Sequence, residues 1–157
     1  MPSRIREYFL TQFADQKAHD GGEFFTPISL VSLIAHVLEP ESGTVLDPAC
    51  GSGGMFVQSA RVVERRHENP TEKLTFYGLE KNATTIRLAK MNLAVHGLEG
   101  DIRHGGNINS YYDDPHNATG AFDFVLANIY GDILMAVCND LVARVKPGGT
   151  LLLSGIL

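Results

Sequence analysis

Hydrophobic positions along the chain follow two periodicities. Apolar residues three and four positions apart predict helices, and short unbroken apolar runs predict buried strands. The predicted helices are IREYFLTQF, TPISLVSLIAHVLEP, GGMFVQSARVVERRH, NATTIRLAKMNLAVHG and DILMAVCNDLVARVKPGG, and the predicted strands are TVLDPA, LTFYGLE, DIRHGG, FDFVLAN and TLLLSGIL. Because helical stretches separate most of the strands, the connections are crossovers and the sheet is mostly parallel. The pattern therefore predicts an α/β, doubly wound fold.

Proline, glycine and polar residues mark the predicted ends of these helices. Thr26 stands where an N-cap is expected, Pro27 is placed as the first helical residue, and Pro40 follows the end of the same helix. Gly97 ends the NATTIRLAKMNLAVHG helix, and the Pro-Gly-Gly after Lys146 ends the last one.

The composition is that of a globular protein. The chain has 157 residues, 44% hydrophobic and 20% charged, without an apolar run long enough to cross a bilayer or an N-terminal signal sequence, so we expect one compact domain in the cytoplasm. Cys50 and Cys138 lie in unlike contexts and are interpreted as free thiols. The histidines show no metal-ligand spacing, and we expect no metal site.

The net charge of −5 argues against this chain binding the phosphate backbone of a nucleic acid by itself. Non-specific affinity for nucleic acids comes from clustered lysines and arginines. The one basic stretch, RVVERRHENPTEK, is interleaved with glutamates and is interpreted as a solvated helix end and loop. Binding to DNA would therefore require additional chains or domains.

The stretch LDPACGSGG carries the strongest candidate chemistry. It follows a predicted strand and opens a helix, which is where ligands bind in sheets of this class. Gly51 and Gly53 let the backbone approach a ligand closely, but Phe56 occupies the position of the third glycine of a dinucleotide motif. Asp47 stands where phosphates would have to lie. A ligand with an ammonium group or sugar hydroxyls fits better.

Glu80 ends the next predicted strand, where an acid can accept hydrogen bonds from both hydroxyls of a ribose. Asp47, the glycine turn and Glu80 together indicate S-adenosylmethionine, which combines a ribose with an amino-acid tail and has no phosphate. A plainer interpretation is that the glycines end a strand and the acids are solvated.

Residues 8–128 resemble the modification (methyltransferase) subunit of type I restriction systems, an adenine-specific DNA methyltransferase family. The similarity lies in GEFFTP, DPACGSGGMF and YGLEKNATTIRLAKMNLAVHG. It implies a Rossmann-like, class I S-adenosylmethionine-dependent methyltransferase core over residues 41–157, with the N-terminal helices of residues 1–40 covering the cofactor. The implied contacts are Phe25 and Thr26 at the methionine end, Asp47, Gly51, Ser52 and Gly53 around the amino-acid part, Glu80 at the ribose, and Asn107 or Asn109 near the adenine ring.

The catalytic motif of that family is altered here. Adenine methylation in the family uses Asn-Pro-Pro followed by an aromatic residue that stacks on the flipped base. This chain has Asn128, Ile129, Tyr130 and Gly131 instead. The resemblance implies that Asn128 accepts a hydrogen bond from the target amine. It offers Tyr130 as a substitute stacking residue, although an aromatic residue at a strand end more often belongs to the core or rim.

Residues 122–157 resemble a different family, which methylates amino groups of a ribosomal large-subunit protein, through ANI, KPGG and SGIL. The chain is therefore expected to be a hybrid, and a protein amine is an alternative acceptor. A binding domain or scaffold that takes up S-adenosylmethionine without catalysis is a further alternative. The sheet is expected to stop after its fifth strand, leaving an apolar edge for a homodimer.

Overall fold

The computed structural model describes residues 26–104 and 120–155. The helices there are α1 (Ile28–Leu38), α2 (Gly54–Arg65), α3 (Pro70–Lys73), α4 (Ala83–Val95) and α5 (Gly131–Arg144), and the strands are β1 (Gly43–Asp47), β2 (Leu74–Glu80), β3 (Gly100–His104), β4 (Phe122–Asn128) and β5 (Val145–Ser154). The predicted IREYFLTQF helix lies outside the described residues.

The five strands form one sheet in the order β3-β2-β1-β4-β5, and all of its strand pairs are parallel. The order reverses at β1, because β2 and β3 extend the sheet on one side and β4 and β5 on the other. A crevice for ligands opens at such a reversal, beyond the carboxyl ends of the strands. The predicted α/β, doubly wound parallel fold is confirmed.

Alternate residues of the central strands pack against the two faces of the sheet. Val45 joins the core cluster formed with α1, α2 and α4, whereas its neighbour Leu46 joins the cluster formed with α5. On the first face the rings of Phe56 and Phe76 lie 5.1 Å apart between centroids. The apolar stripes predicted from the sequence are thus buried on both faces.

Two predicted boundaries differ from the structure. Helix α1 has Pro27 as its N-cap and no side-chain capping bond, so the prediction of Thr26 as N-cap is wrong. The Lys-Pro-Gly-Gly segment lies within β5, whose pairing with β4 jumps from Val145 to Thr150. The segment bulges out of the ladder because a proline has no N–H to donate.

Asp123 joins three strands at the amino-terminal edge of the sheet. Its Oδ2 accepts hydrogen bonds from the Thr44 backbone N–H at 2.7 Å, the Thr44 hydroxyl at 2.8 Å and the Lys146 ammonium at 2.8 Å. These bonds, foremost the one from Lys146, lower the pKa of Asp123 to about 2. The carboxylate therefore ties β1, β4 and β5 together, far from the ligand crevice.

No helix in residues 26–104 or 120–155 is long and apolar enough to span a bilayer.

Candidate cofactor site

Three polar side chains end three neighbouring strands. Asp47 is the last residue of β1, Glu80 of β2 and Asn128 of β4. Parallel strands bring these ends to one edge of the sheet, on both sides of the reversal at β1. Asp47 and Glu80 are only 6% and 8% exposed, so the interpretation of both acids as solvated is wrong. The structure brings together the acids that the sequence singled out.

The glycine turn between β1 and α2 is anchored to β2. The Cys50 N–H donates to the Leu79 carbonyl at 3.0 Å, and the Gly53 N–H donates to the Cys50 carbonyl at 2.8 Å. Gly51 has a φ of +52° and Gly53 a φ of +77°, a conformation that side chains disfavour. No atom lies within 4 Å of the place where a Cβ on Gly51 would stand. The turn therefore has open space beside its backbone.

Asn92 on α4 holds the same turn from the other side. Its side-chain amide donates to the Ser52 carbonyl at 2.9 Å. The sequence analysis missed this contact and treated the helix only by its apolar face. The one available signal was an amide in a helix interior, where asparagine has low propensity without a partner.

Asp47 is held in an environment that disfavours its charge. Burial, and to a lesser extent the nearby Glu80 carboxylate, raise the pKa of Asp47 to about 7, against the opposing effect of the Ala49 N–H, which donates to Oδ1 at 3.0 Å. A bound cation would reverse this balance, because opposite charge favours the ionised acid. The site is therefore suited to a positively charged ligand group.

Cys50 lies beside the two acids, in surroundings that favour its neutral thiol. Burial, followed by the carboxylates of Asp47 and Glu80, raises the pKa of its thiol well above the usual range. The Sγ atom packs against Gly78, where a Cβ would come within 2.8 Å of it. Cys50 thus fills the space between the turn and β2.

Glu80 is oriented by the start of α4. Its Oε1 accepts a hydrogen bond from the Asn82 backbone N–H at 2.8 Å. Asn82 is in turn the N-cap of α4, and its side-chain oxygen accepts from the Thr84 N–H at 2.8 Å. A carboxylate held in this way can present a fixed direction to sugar hydroxyls.

Asn128 and Thr26 meet across the crevice, although they are far apart in sequence. The Asn128 side-chain Nδ2 donates to the Thr26 hydroxyl at 2.9 Å. The resemblance implied a role for each residue separately, and the structure connects them. Thr26 precedes α1, so the start of this helix lies at the carboxyl end of β4.

The residues after Asn128 divide between core and surface. Ile129 is 8% exposed and packs in the cluster that contains Val137 and Leu141, while Tyr130 is 47% exposed. The Ile129 N–H donates to the Ser154 carbonyl at 3.0 Å, which fixes the loop to the end of β5. This arrangement places Tyr130, but not Ile129, at the surface beside Asn128.

Phe25, Asn107 and Asn109 lie outside the described residues, so the predictions made for them are not tested. Within residues 26–104 and 120–155, no group of three or more His, Cys, Asp or Glu side chains is arranged to hold a metal ion.

The N-6 DNA methylase family matches residues 2–132 of the chain. The chain belongs to that family. The methylase subunit of the type I restriction enzyme MjaIX from Methanocaldococcus jannaschii is 44% identical over 125 residues, which is 80% of this chain and 22% of that subunit. The chain thus spans less than a quarter of that relative. S-adenosylmethionine is the cofactor implied by this membership, and the buried acids and the open turn fit its ammonium, sulfonium and ribose groups.

Solved structures of methyltransferases share this fold. A modification subunit of a type I restriction enzyme from Vibrio vulnificus has 26% identity and a TM-score of 0.69, covering 96% of this chain and 38% of that one. The ribosomal protein L11 methylase from Lactobacillus delbrueckii has 19% identity and a TM-score of 0.60 over 82% of this chain and 61% of that one. The latter likeness shows the fold alone, so the hybrid origin of the C-terminal part stays a prediction.

Proposed function

We propose that this chain forms the S-adenosylmethionine-binding part of an adenine-specific DNA methyltransferase of a type I restriction-modification system, with Asn128 in contact with the amine that receives the methyl group. The observation that carries the proposal is the alignment of Asp47, Glu80 and Asn128 at the ends of three adjacent strands. In this proposal the two buried acids bind the cofactor, and the amide beside them binds the group that receives the methyl.

Each side chain has a task in this proposal. Asp47, whose charge is disfavoured in the absence of a cation, pairs with the positive amino-acid part, with Gly51, Ser52 and Gly53 supplying backbone around it. Glu80, held by the Asn82 N–H, accepts from the ribose hydroxyls. The cofactor, once bound, supplies a methyl group on a good leaving group. Proximity and alignment therefore provide most of the rate.

Asn128 acts on the acceptor rather than on the cofactor. The lone pair of an exocyclic adenine amine is delocalised into the ring, so hydrogen bonds accepted from its N–H groups make the nitrogen a better nucleophile. The amide oxygen of Asn128 can accept one such bond. Tyr130, exposed beside it, is the candidate for stacking on a flipped base.

The proposed domain is residues 1–157 as one unit, in which residues 1–40 cover the cofactor and residues 41–157 form the core. With a net charge of −5, contact with DNA is assigned to further chains or domains. Among the described residues, β5 pairs only with β4. Its outer edge is the proposed surface for a second copy of the chain.

Calorimetric titration of the 157-residue chain with S-adenosylmethionine tests the cofactor site. Asp47→Ala and Glu80→Ala should each weaken binding at least tenfold, as expected from the loss of a charge-assisted bond of about 1.5–3 kcal/mol. Glu64→Ala, on the exposed face of α2, is the matched control and should bind like the wild type. A folded wild type without saturable binding would refute the proposal.

Transfer of a labelled methyl group to adenine-containing DNA tests the acceptor, with a protein amine substrate run in parallel. Asn128→Ala should abolish transfer while leaving the affinity for S-adenosylmethionine within about twofold of the wild type. Labelling of the protein alone would favour the amine acceptor over adenine.

A second candidate is a binding domain that takes up S-adenosylmethionine without catalysis. The burial of Ile129 in the core and the replacement of the two motif prolines favour it. It predicts saturable binding that Asp47→Ala and Glu80→Ala weaken, together with no methyl transfer to either substrate even when the partner subunits are supplied.

A further inference from the structure

We infer that Thr26 is a positioning residue that holds the Asn128 side-chain amide in place. The inference rests on the proposed function and adds a residue that acts through Asn128. The Thr26 hydroxyl oxygen accepts a hydrogen bond from the Asn128 Nδ2, 2.9 Å away, and the amide oxygen remains available to the amine that receives the methyl group. The two side chains therefore form one unit, although 102 positions separate them in sequence.

Both ends of this hydrogen bond are attached to well-packed elements. Thr26 is followed by Pro27, whose carbonyl accepts from the N–H groups of Leu30 at 2.9 Å and Val31 at 3.1 Å in the first turn of α1. Val31 is buried in the core cluster shared with α2. Asn128 ends β4, which lies between β1 and β5. The hydrogen bond therefore links the start of α1 to the end of β4.

The orientation matters because the two ends of an amide are chemically opposite. Rotation about the last side-chain torsion of asparagine is two-fold and soft, so the amide of an unpartnered asparagine can turn over. Its oxygen only accepts hydrogen bonds and its nitrogen only donates them. An inverted Asn128 would present N–H groups to an amine that itself carries N–H groups. Because a hydroxyl can donate as well as accept, Thr26 fixes where the amide lies; with Nδ2 on Thr26, as in this structure, the amide oxygen is the end that can draw electron density onto the acceptor nitrogen.

The size of the effect follows from one hydrogen bond. A neutral bond contributes about 0.5–1.5 kcal/mol, which corresponds to a preference of about two- to tenfold for the tethered position of the amide over free rotation. Loss of the Thr26 hydroxyl should therefore lower kcat by about this factor. The affinity for S-adenosylmethionine should change little, because the amide and not the cofactor site is disturbed.

Kinetic comparison of three variants in the 157-residue chain tests this. Thr26→Val keeps the shape and removes the hydroxyl, Thr26→Ser restores the hydroxyl, and Thr75→Val makes the same exchange on the exposed part of β2. We expect Thr26→Val to lower kcat about two- to tenfold with Kd and KM for the cofactor within twofold. Thr26→Ser and Thr75→Val should match the wild type. A main effect on cofactor affinity would overturn the inference in favour of a direct cofactor contact.

A double-mutant cycle separates positioning from general damage. If Thr26 acts through Asn128, Thr26→Val should cause no further loss in an Asn128→Ala background. An equal loss in both backgrounds would contradict the inference. Where residual transfer by Asn128→Ala is too small to measure, the spectroscopic comparison decides.

That comparison is the side-chain amide spectrum of ¹⁵N-labelled protein, with the Asn128 signals assigned by their loss in Asn128→Asp. In the wild type the two Nδ2 protons should be well separated and slow to exchange with solvent. In Thr26→Val they should converge and exchange faster, and in Thr26→Ser they should stay as in the wild type. Unchanged signals in Thr26→Val would overturn the inference. A wild type that binds S-adenosylmethionine but transfers no methyl group would defeat the proposed catalysis, while this spectrum still decides the role of Thr26.

Discussion

The side-chain amide of Asn92 on α4 donates a hydrogen bond to the carbonyl of Ser52, 2.9 Å away in the turn between β1 and α2. The Cys50 N–H bonds the same turn to Leu79 of β2. The turn is therefore held from two sides by elements that follow it in sequence. Its shape depends on the packing of α4 against the sheet.

Replacing Asn92 with aspartate should loosen the turn. The variant has the same shape, but a carboxylate would face the Ser52 carbonyl with no hydrogen to donate. We expect a loss of about 1–3 kcal/mol in stability and a weaker affinity for S-adenosylmethionine, measured by denaturant unfolding and calorimetry. Asn139→Asp makes the same change on the exposed face of α5 and should leave both quantities unaltered. Equal effects of the two variants would show that the Asn92 bond contributes nothing.

Binding of S-adenosylmethionine should release a proton from Asp47. At pH 6 this acid, with a pKa of about 7, is mostly protonated in the unliganded protein, and a cation beside it favours the ionised form. Calorimetry at pH 6 in two buffers of different ionisation enthalpy measures the release. We expect close to one proton for the wild type and none attributable to this site for Asp47→Asn. Identical proton release by both proteins would place the titration elsewhere.

The same pKa predicts how the stability of the unliganded protein depends on pH. A carboxyl whose pKa in the folded state exceeds the usual value near 3.9 is harder to ionise there than in the unfolded chain. Stability should fall as the pH rises from about 4 through 7, by an amount on the order of 2–4 kcal/mol. Asp47→Asn should lack this fall and be more stable than the wild type at pH 8. Urea unfolding at pH 5 and pH 8 provides the measurement.

Asp123→Asn should destabilise the fold. The carboxylate accepts from the Thr44 backbone, the Thr44 hydroxyl and Lys146, and its pKa is lowered to about 2. Because the site is partly exposed, we expect a cost of about 1–2 kcal/mol at pH 7. For a lowered pKa the contribution is complete above about pH 4 and disappears as the pH falls towards 2. The two proteins should therefore converge at pH 2, with Asp140→Asn on α5 as an exposed control.

Gly155→Ala should disturb the loop that follows Asn128. A Cβ on Gly155 would stand 2.5 Å from the Ile129 carbonyl oxygen and 3.1 Å from Leu134 Cδ1. The backbone of the loop must move to admit it, so we expect lower methyl transfer and a cost of about 1–3 kcal/mol in stability. Gly54→Ala is the stability control, because its Cβ would meet only Val31, at 4.0 Å. A stable, fully active Gly155→Ala protein would show that the loop is adaptable.

Much of the fold could be predicted from local patterns. The short apolar run before Asp47 and the apolar face through Leu30, Ile34 and Leu38 predicted a strand and a helix that the structure confirms. The beginning of β5 could not be predicted from local sequence. Its Pro-Gly-Gly has the local character of a helix end, and only pairing with β4 makes it a bulge within a strand.

The sequence by itself determined that two acids and a glycine turn lie at one edge of the sheet. Asp47 and Glu80 each end an apolar run, and parallel strands necessarily bring such ends to one edge. Tertiary structure alone decided that Asn92 holds Ser52 and that Thr26 meets Asn128. These contacts join residues 40 and 102 positions apart through side chains of common polar types, and no local pattern records them. Local periodicity determines the helices and strands, whereas the packing of those elements against one another determines which polar groups meet.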